Sequence, residues 1–296
     1  MKNNSIARID IVEFQGAREK VPLLLGVCRL VSIGMASDLA AELDFALSVA
    51  DAADAYTLPH FQARSFNVSL KENQTEVTEI DRGCETLVMD LIRSARPHHA
   101  WYGEEHGAGG LSSSEFTWVI DPIDGTSNFV RGVPVWATLI ALVHADLGPV
   151  MGVVSAPALG MRWCGFVDGG AYFNGSPIQV SSVASLSEAS LSITANSLWD
   201  KIGKTTHIDE LTRSASRVRG YGDFWQHMLV AQGAVDVAVD AVGLEPYDIA
   251  ALIPIVCGAG GMLTNRKGEV DWRANTAISS NGLFHSDVIE ILTRKS

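Results

Sequence analysis

The sequence predicts an α+β or layered α/β protein, and three observations carry that reading. Two long segments near the N-terminal end place apolar residues at spacings of three and four. A central block consists of short β-rich runs punctuated by Gly and Pro. After it, strand-like and helical runs alternate. The chain has 296 residues, 47% apolar and 19% charged, so it can bury a large core in one domain or two joined lobes and is too apolar to be disordered.

Taken in order, "DLAAELDFALSVADAADAYTLPHF" from Asp38 reads as an amphipathic helix that Ser37 or Asp38 can cap. "FNVSLK" alternates like a strand. "TEVTEIDRGCETLVMDLIRSARP" reads as a second helix, capped by Thr78 or Asp81 and closed by Pro97. "AWYGEEHG" is a short strand running into a turn, and "FTWVI" (116–120) is another strand. "WATLIALVHA", "GPVMGVVSAP", "MRWCGFVDGG" and "AYFNGSPIQV" follow as antiparallel strands. The last part reads as strand "SLSITAN", helices "HIDELTRSAS" and "FWQHMLVAQGAV", strand "DVAVDA", helix "YDIAALIPIVCGAG" and strand "MLTNRKG". This order divides the chain into an extension (1–34), an α+β lobe (35–180) and an α/β lobe (181–296), the two lobes forming one catalytic unit. In the extension, "VPLLLGVCRLVSIGMA" is interrupted by Arg29 and too short to span a bilayer, and Met35 offers a second start; it is read as an upstream extension and not as a signal peptide.

A net charge of −12 argues against nucleic acid or an anionic membrane as partner, and a phosphate-bearing ligand would need a local cation. Cys28, Cys84, Cys164 and Cys257 are scattered with no CxxC pair. That argues against structural zinc and a disulfide framework, and for a reducing compartment, the cytoplasm.

The chemistry gathers at "DPIDGT" (121–126). Asp121 and Asp124 follow a strand, Glu104 and Glu105 follow another, Asp81 sits at a helix start and Asp248 opens a later helix. Acids at element ends can converge on one crevice, where without a cation they repel one another. Oxygen ligands with no His or Cys among them suit Mg²⁺, with Mn²⁺ as the alternative. Pro122 fixes one φ and aims the two acids, and Gly125 lets a ligand approach the backbone. The N–H groups of Gly125 and Thr126 open a short helix and can meet an anion. Thr126 can hold an attacking water, with Asp81 behind it as base.

"GEE" (103–105), "DPIDGT" and "PYDIAAL" (246–252) together resemble the inositol monophosphatase superfamily of Mg²⁺-dependent phosphatases. The resemblance runs from about Asp38 to near the C-terminal end. "DPIDGTSNFVRGVPVWATLIAL", "GYGDFWQHMLVAQGAVDVAV" and "GLEPYDIAALIPIVCGAGG" look most like its histidinol-phosphate phosphatase branch. The resemblance implies an α/β/α/β/α sandwich, a homodimer and two or three metal ions. It implies one ion on Glu104, Asp121 and the Ile123 carbonyl, a second on Asp121, Asp124 and Asp248, and help from Glu105 through water. Thr126 and Asp81 would activate water, and Gly125 and Thr126 would bind phosphate. The substrate implied is L-histidinol phosphate, in histidine biosynthesis, attacked by water without a phosphoenzyme; inositol phosphate or another sugar or metabolite phosphate is the rival substrate. A non-catalytic binding protein on the same fold would predict a broken metal site, and here every ligand position is filled.

On the substrate side, Asp223 in "GDFW" is the implied acid. The family tends to place a Glu seven residues before the last metal-binding Asp; here that position is Ala241, with Asp240 and Glu245 nearby. The remaining features read as structural. His98 and His99 are surface residues, Cys84 and Cys257 are core or inert, "CGAGG" is a helix stop, and "RSASRVRG" is a solvated basic stretch from which Arg219 can reach the pocket.

Overall fold

The computed structural model describes residues 33–71 and 74–294. The reading of 1–32 as an extension lies outside them. Helix α1 (Ile33–Ala63) starts upstream of Ser37 and Asp38, so neither caps it; Met35 and Ala36 are strong helix formers that carry the helix back past them. Leu39, Leu43, Ala46, Val49 and Ala53 form its buried stripe. A hairpin of β1 (Val68–Leu70) and β2 (Glu76–Thr78) leads into α2 (Glu79–Ala95), which buries Ile80, Cys84, Val88, Met89 and Ile92.

An eight-stranded sheet follows. Its strands are β3 (Ala100–Gly103), β4 (Gly107–Gly109), β5 (Phe116–Asp124), β6 (Ala137–His144), β7 (Gly148–Ala156), β8 (Met161–Phe166), β9 (Gly170–Phe173) and β10 (Ser176–Pro177), in the order β10-β9-β8-β7-β6-β5-β3-β4. Only β3 and β5 pair in parallel. The helix α3 (Thr126–Arg131) lies between β5 and β6. The rest of the chain alternates: β11 (Ser190–Ile193), α4 (Ser197–Lys201), α5 (Thr205–Ser214), β12 (Arg217–Arg219), α6 (Asp223–Ala231), β13 (Val237–Val239), α7 (Pro246–Ile249), α8 (Leu252–Gly258), β14 (Met262–Thr264), β15 (Ile278–Ser280) and α9 (His285–Thr293). Its five strands form a second sheet, β12-β11-β13-β15-β14, parallel among β12, β11 and β13.

Strand alternation sorts the side chains into layers. Trp118 and Ile120 of β5 pack with Leu142 and Met151 against α1 and α2. Val119 of β5 packs with Leu139 and Val154 on the other face, against Phe224, Met228 and Val256 of α6 and α8. Those two helices also cover the second sheet, α6 through Val230 on Ala238 and α8 through Val256, which clusters with Leu263 of β14. On that sheet's far side Val237, Val239 and Leu191 meet Ile208, Leu211, Val288 and Leu292 of α5 and α9. The stack is helix, sheet, helix, sheet, helix, as expected.

Several readings need correction. "YDIAALIPIVCGAG" is two helices, α7 and α8; Pro254 has no N–H for the Ala250 carbonyl and its ring crowds that group, so the helix breaks there. "FTWVI" does not end at Ile120, because β5 continues to Asp124. "RSASRVRG" supplies the edge strand β12, whose Arg217 and Arg219 are exposed. His99 is half-buried, not a plain surface residue: its Nδ1 accepts from Trp118 Nε1 at 3.1 Å and its ring stacks on that indole.

Candidate active site

Asp121 and Asp124 are three residues apart, which in a regular strand would send them to opposite faces. The β5–β6 ladder pairs Asp121 with Leu139 and Asp124 with Ala137, so three steps on β5 meet two on β6. The extra residue is a β-bulge, and it returns both acids to one side. The Pro122 carbonyl stays tied down by the Thr138 hydroxyl at 2.8 Å. Asp248 arrives from α7, where its Oδ2 accepts the Glu245 N–H at 2.7 Å in a capping box. One carboxylate oxygen each of Asp121, Asp124 and Asp248 falls within 4.8 Å of the others. Glu104 lies outside that trio, and its charge is the first after burial to act on Asp121. Lys71 bridges Glu104 at 2.7 Å and Glu105 at 2.5 Å.

The donors offered to these acids are few. Asp121 accepts the Ile123 N–H at 3.0 Å and Asp124 the Phe224 N–H at 2.7 Å. Burial first, then the charges of Glu104, Asp124 and Asp248, push Asp121 well above the usual carboxylate range. Burial, then Asp223 and Asp248, do the same to Asp124. Burial pushes Asp248 up to about 7. Such a cluster stores repulsion that a cation would relieve.

Next to it stands a fully paired acid. Thr78 caps α2, and Asp81 Oδ2 accepts the Thr78 N–H at 2.8 Å and the Thr78 hydroxyl at 2.5 Å. The other oxygen accepts the Thr126 hydroxyl at 2.9 Å, and that hydroxyl also lies 3.0 Å from the Ile123 carbonyl. Burial raises Asp81, which makes it a better proton acceptor than a free carboxylate. Gly125 opens α3 at φ +86°, and a Cβ there would come within 3.0 Å of the Val135 carbonyl. The left-handed backbone favours glycine there, and the nearby carbonyl leaves little room for a side chain.

The second wall lies at the carboxyl ends of β11 and β13. Asp223 begins α6 at φ +48°, a strained left-handed conformation, and its Oδ2 accepts from Asn128 Nδ2 at 2.9 Å. Burial, then the charge of Asp240, raise it to about 6. Asp240 is held by His227 Nε2 at 3.1 Å, and His227 Nδ1 meets Ser279 Oγ at 2.8 Å, all three side chains buried. After burial, the charge of Asp240 is among the causes that raise Asp124, Asp223 and Asp248, while its own oxygens are held by His227 and the Ala241 N–H. Glu245 is exposed at the rim, and Arg219 folds back onto the Val218 carbonyl.

Lys71, Asn128 and His227 were missed in the sequence. Lys71 ends the alternating run "FNVSLK", which gives no hint of its distant partners, and Asn128 lies in a short stretch with no periodic signal. His227 had one, since it occupies an apolar helix position next to Met228.

Every donor in the trio is a hard oxygen, and His and Cys are absent from it, which fits Mg²⁺ or Mn²⁺ better than zinc. The five-layer fold and its acid cluster beside a paired Thr–Asp define a metal-dependent phosphomonoester hydrolase. The inositol monophosphatase family profile matches residues 38–295. The chain is 42% identical over 262 residues to a histidinol-phosphatase of Streptomyces coelicolor, covering 86% of this chain and 97% of that one. It is 43% identical over 253 residues to a histidinol-phosphatase of Mycobacterium tuberculosis, covering 84% and 96%. Among solved structures, the extragenic suppressor protein suhB of Bartonella henselae superposes with a TM-score of 0.80 at 25% identity, over 86% of this chain and all of that one. The chain belongs to the inositol monophosphatase family.

Proposed function

We propose that this protein is a Mg²⁺-dependent histidinol-phosphatase that hydrolyses L-histidinol phosphate to L-histidinol and phosphate, as a homodimer in the cytoplasm, in histidine biosynthesis. The observation that carries the substrate is the acidic second wall. Asp223, raised to about 6 by burial and by the charge of Asp240, lies beside Gly125 and next to the residue whose N–H holds Asp124. A phosphate ester whose organic end is an amine suits that wall, because its positive charge restores ionisation to acids that burial holds back. A neutral polyol gives no such compensation. The identity to two histidinol-phosphatases along most of the chain supports the same substrate.

In this reading Glu104, Asp121 and the Ile123 carbonyl would hold one Mg²⁺, and Asp121, Asp124 and Asp248 would hold a second. Bound ions supply positive charge that neutralises the acids and the phosphate oxygens. The Gly125 and Thr126 N–H groups orient the phosphate. The Thr126 oxygen accepts a hydrogen bond from the attacking water. As the new P–O bond forms, that water's proton passes to Thr126, whose own proton moves to Asp81. The ester P–O bond breaks, and the histidinol oxygen takes a proton from solvent. Asp223 and Asp240 hold the ammonium end away from the reacting atoms. Among the described residues no helix is long and apolar enough to cross a membrane.

A steady-state panel with Mg²⁺ tests the substrate. Histidinol phosphate is expected to give a far higher kcat/KM than inositol phosphate. Turnover of inositol phosphate without release from histidinol phosphate would overturn the assignment and leave the hydrolase.

A further inference from the structure

The large group the reaction leaves unused is Glu85. It sits on α2 one turn after Asp81 and is fully buried. A buried carboxylate needs several donors to remain charged. Its donors all come from one place: the Glu105 N–H at 2.8 Å, the His106 N–H at 2.8 Å and the His106 ring Nδ1 at 3.0 Å. These belong to the tight turn between β3 and β4, the turn that projects Glu104 toward Asp121. The turn is fitted to the carboxylate from above as well. A Cβ on Gly103 would lie 2.3 Å from Glu85 Oε1, so only a glycine lets the strand end rest on it. Gly103 pairs with Ile120 on β5, and the Glu104 N–H reaches the Ile120 carbonyl at 3.3 Å.

Helix α2 therefore holds both sides of the acid cluster. Asp81 fixes the Thr126 hydroxyl on one side, and Glu85 fixes the Glu104–His106 backbone on the other. The two acids are four residues apart, on the same helix face. We infer that Glu85 is a positioning residue for metal binding: it sets the Glu104 and Glu105 carboxylates by holding their backbone, and the His106 ring locks it there. This rests on the metal-hydrolase reading above.

The two claims separate in one experiment, Mn²⁺ binding to the full chain followed by the electron paramagnetic resonance of free Mn²⁺. Glu85→Gln replaces one acceptor oxygen with an NH₂ that faces N–H donors. Gly103→Ala leaves the carboxylate intact and pushes the turn off it, so it serves if the first variant folds poorly. Both are expected to weaken Mn²⁺ binding by about 10- to 100-fold, the range for residues that support metal ligands. His106→Gln, which leaves both backbone donors, weakens it less. Val88→Ala removes core volume on the same helix, beyond the turn, and lowers the melting temperature without changing Mn²⁺ affinity. Wild-type affinity in Glu85→Gln or Gly103→Ala, or an equal loss in Val88→Ala, overturns the positioning role. A wild-type chain that fails to bind Mn²⁺ overturns the metal reading and this inference with it.

Discussion

Asp81 on α2 and Asp121 on β5 are both buried, and the protein treats them differently. Asp81 receives two hydrogen bonds from Thr78 and one from Thr126. Asp121 receives the Ile123 N–H and otherwise faces other acids. The first is a finished structural unit that happens to hold a reactive hydroxyl. The second is left short of donors and crowded by like charge, which is costly unless something outside the chain completes it. A saturated acid beside an unsaturated one separates the group that moves a proton from the groups that hold an ion.

The largest effect tests the unsaturated side. Asp121→Asn should abolish turnover, beyond the roughly 100-fold that loss of a supporting residue costs. The same change should raise the melting temperature of the protein in EDTA, because it removes an acid that must take up a proton to be buried there. Each kcal/mol recovered is worth about 2–4 °C at this size. Loss of activity with a lower melting temperature in EDTA would break the comparison. Thr126→Ala acts on the saturated side. It should lower kcat by roughly 100-fold, the low end for a positioned proton-transfer group, while Mn²⁺ affinity by calorimetry stays near wild type. A collapse of affinity would show that Thr126 serves the ions and not the water.

Asp223→Asn should raise KM for histidinol phosphate about tenfold, the size of one charge-assisted hydrogen bond, and leave KM for inositol phosphate unchanged. Equal changes for both substrates would remove the acidic wall from substrate choice. The smallest effect is on pH and stability. Asp248, up to about 7, and Asp223, up to about 6, hold protons in the folded state that the unfolded chain releases near pH 4. Their contribution is therefore full below about pH 4 and is lost as pH rises through 6 and 7. In EDTA the melting temperature should fall over that window. Saturating Mg²⁺ should flatten the fall, and a slope that persists in Mg²⁺ would point to acids the ions do not reach.

Much of the site is legible in the sequence because it is local. "DPIDGT" packs two acids, a fixed φ, a left-handed glycine and a hydroxyl into six residues, and the Thr78–Asp81 and Glu245–Asp248 boxes are each four residues long. The bulge that turns Asp121 and Asp124 to one side is not legible, because it depends on the register against β6. Neither is Lys71, whose partners lie more than thirty residues away. Glu85 left a trace that can be read: it stands among Cys84, Val88 and Met89 on the buried face of α2, where a charge must have distant donors. The short strands β12 and β15 are three residues each, too brief for alternation to stand out.

The most direct test of the account is a calorimetric Mg²⁺ titration near pH 7, run in two buffers of different ionisation heat so that released protons are counted. Acids held protonated by burial and by one another should give up protons as Mg²⁺ binds, and Asp121→Asn should bind weakly and release fewer. Binding without proton release, or no binding by the wild-type protein, would contradict the claim that the chain leaves these acids for a metal ion to complete.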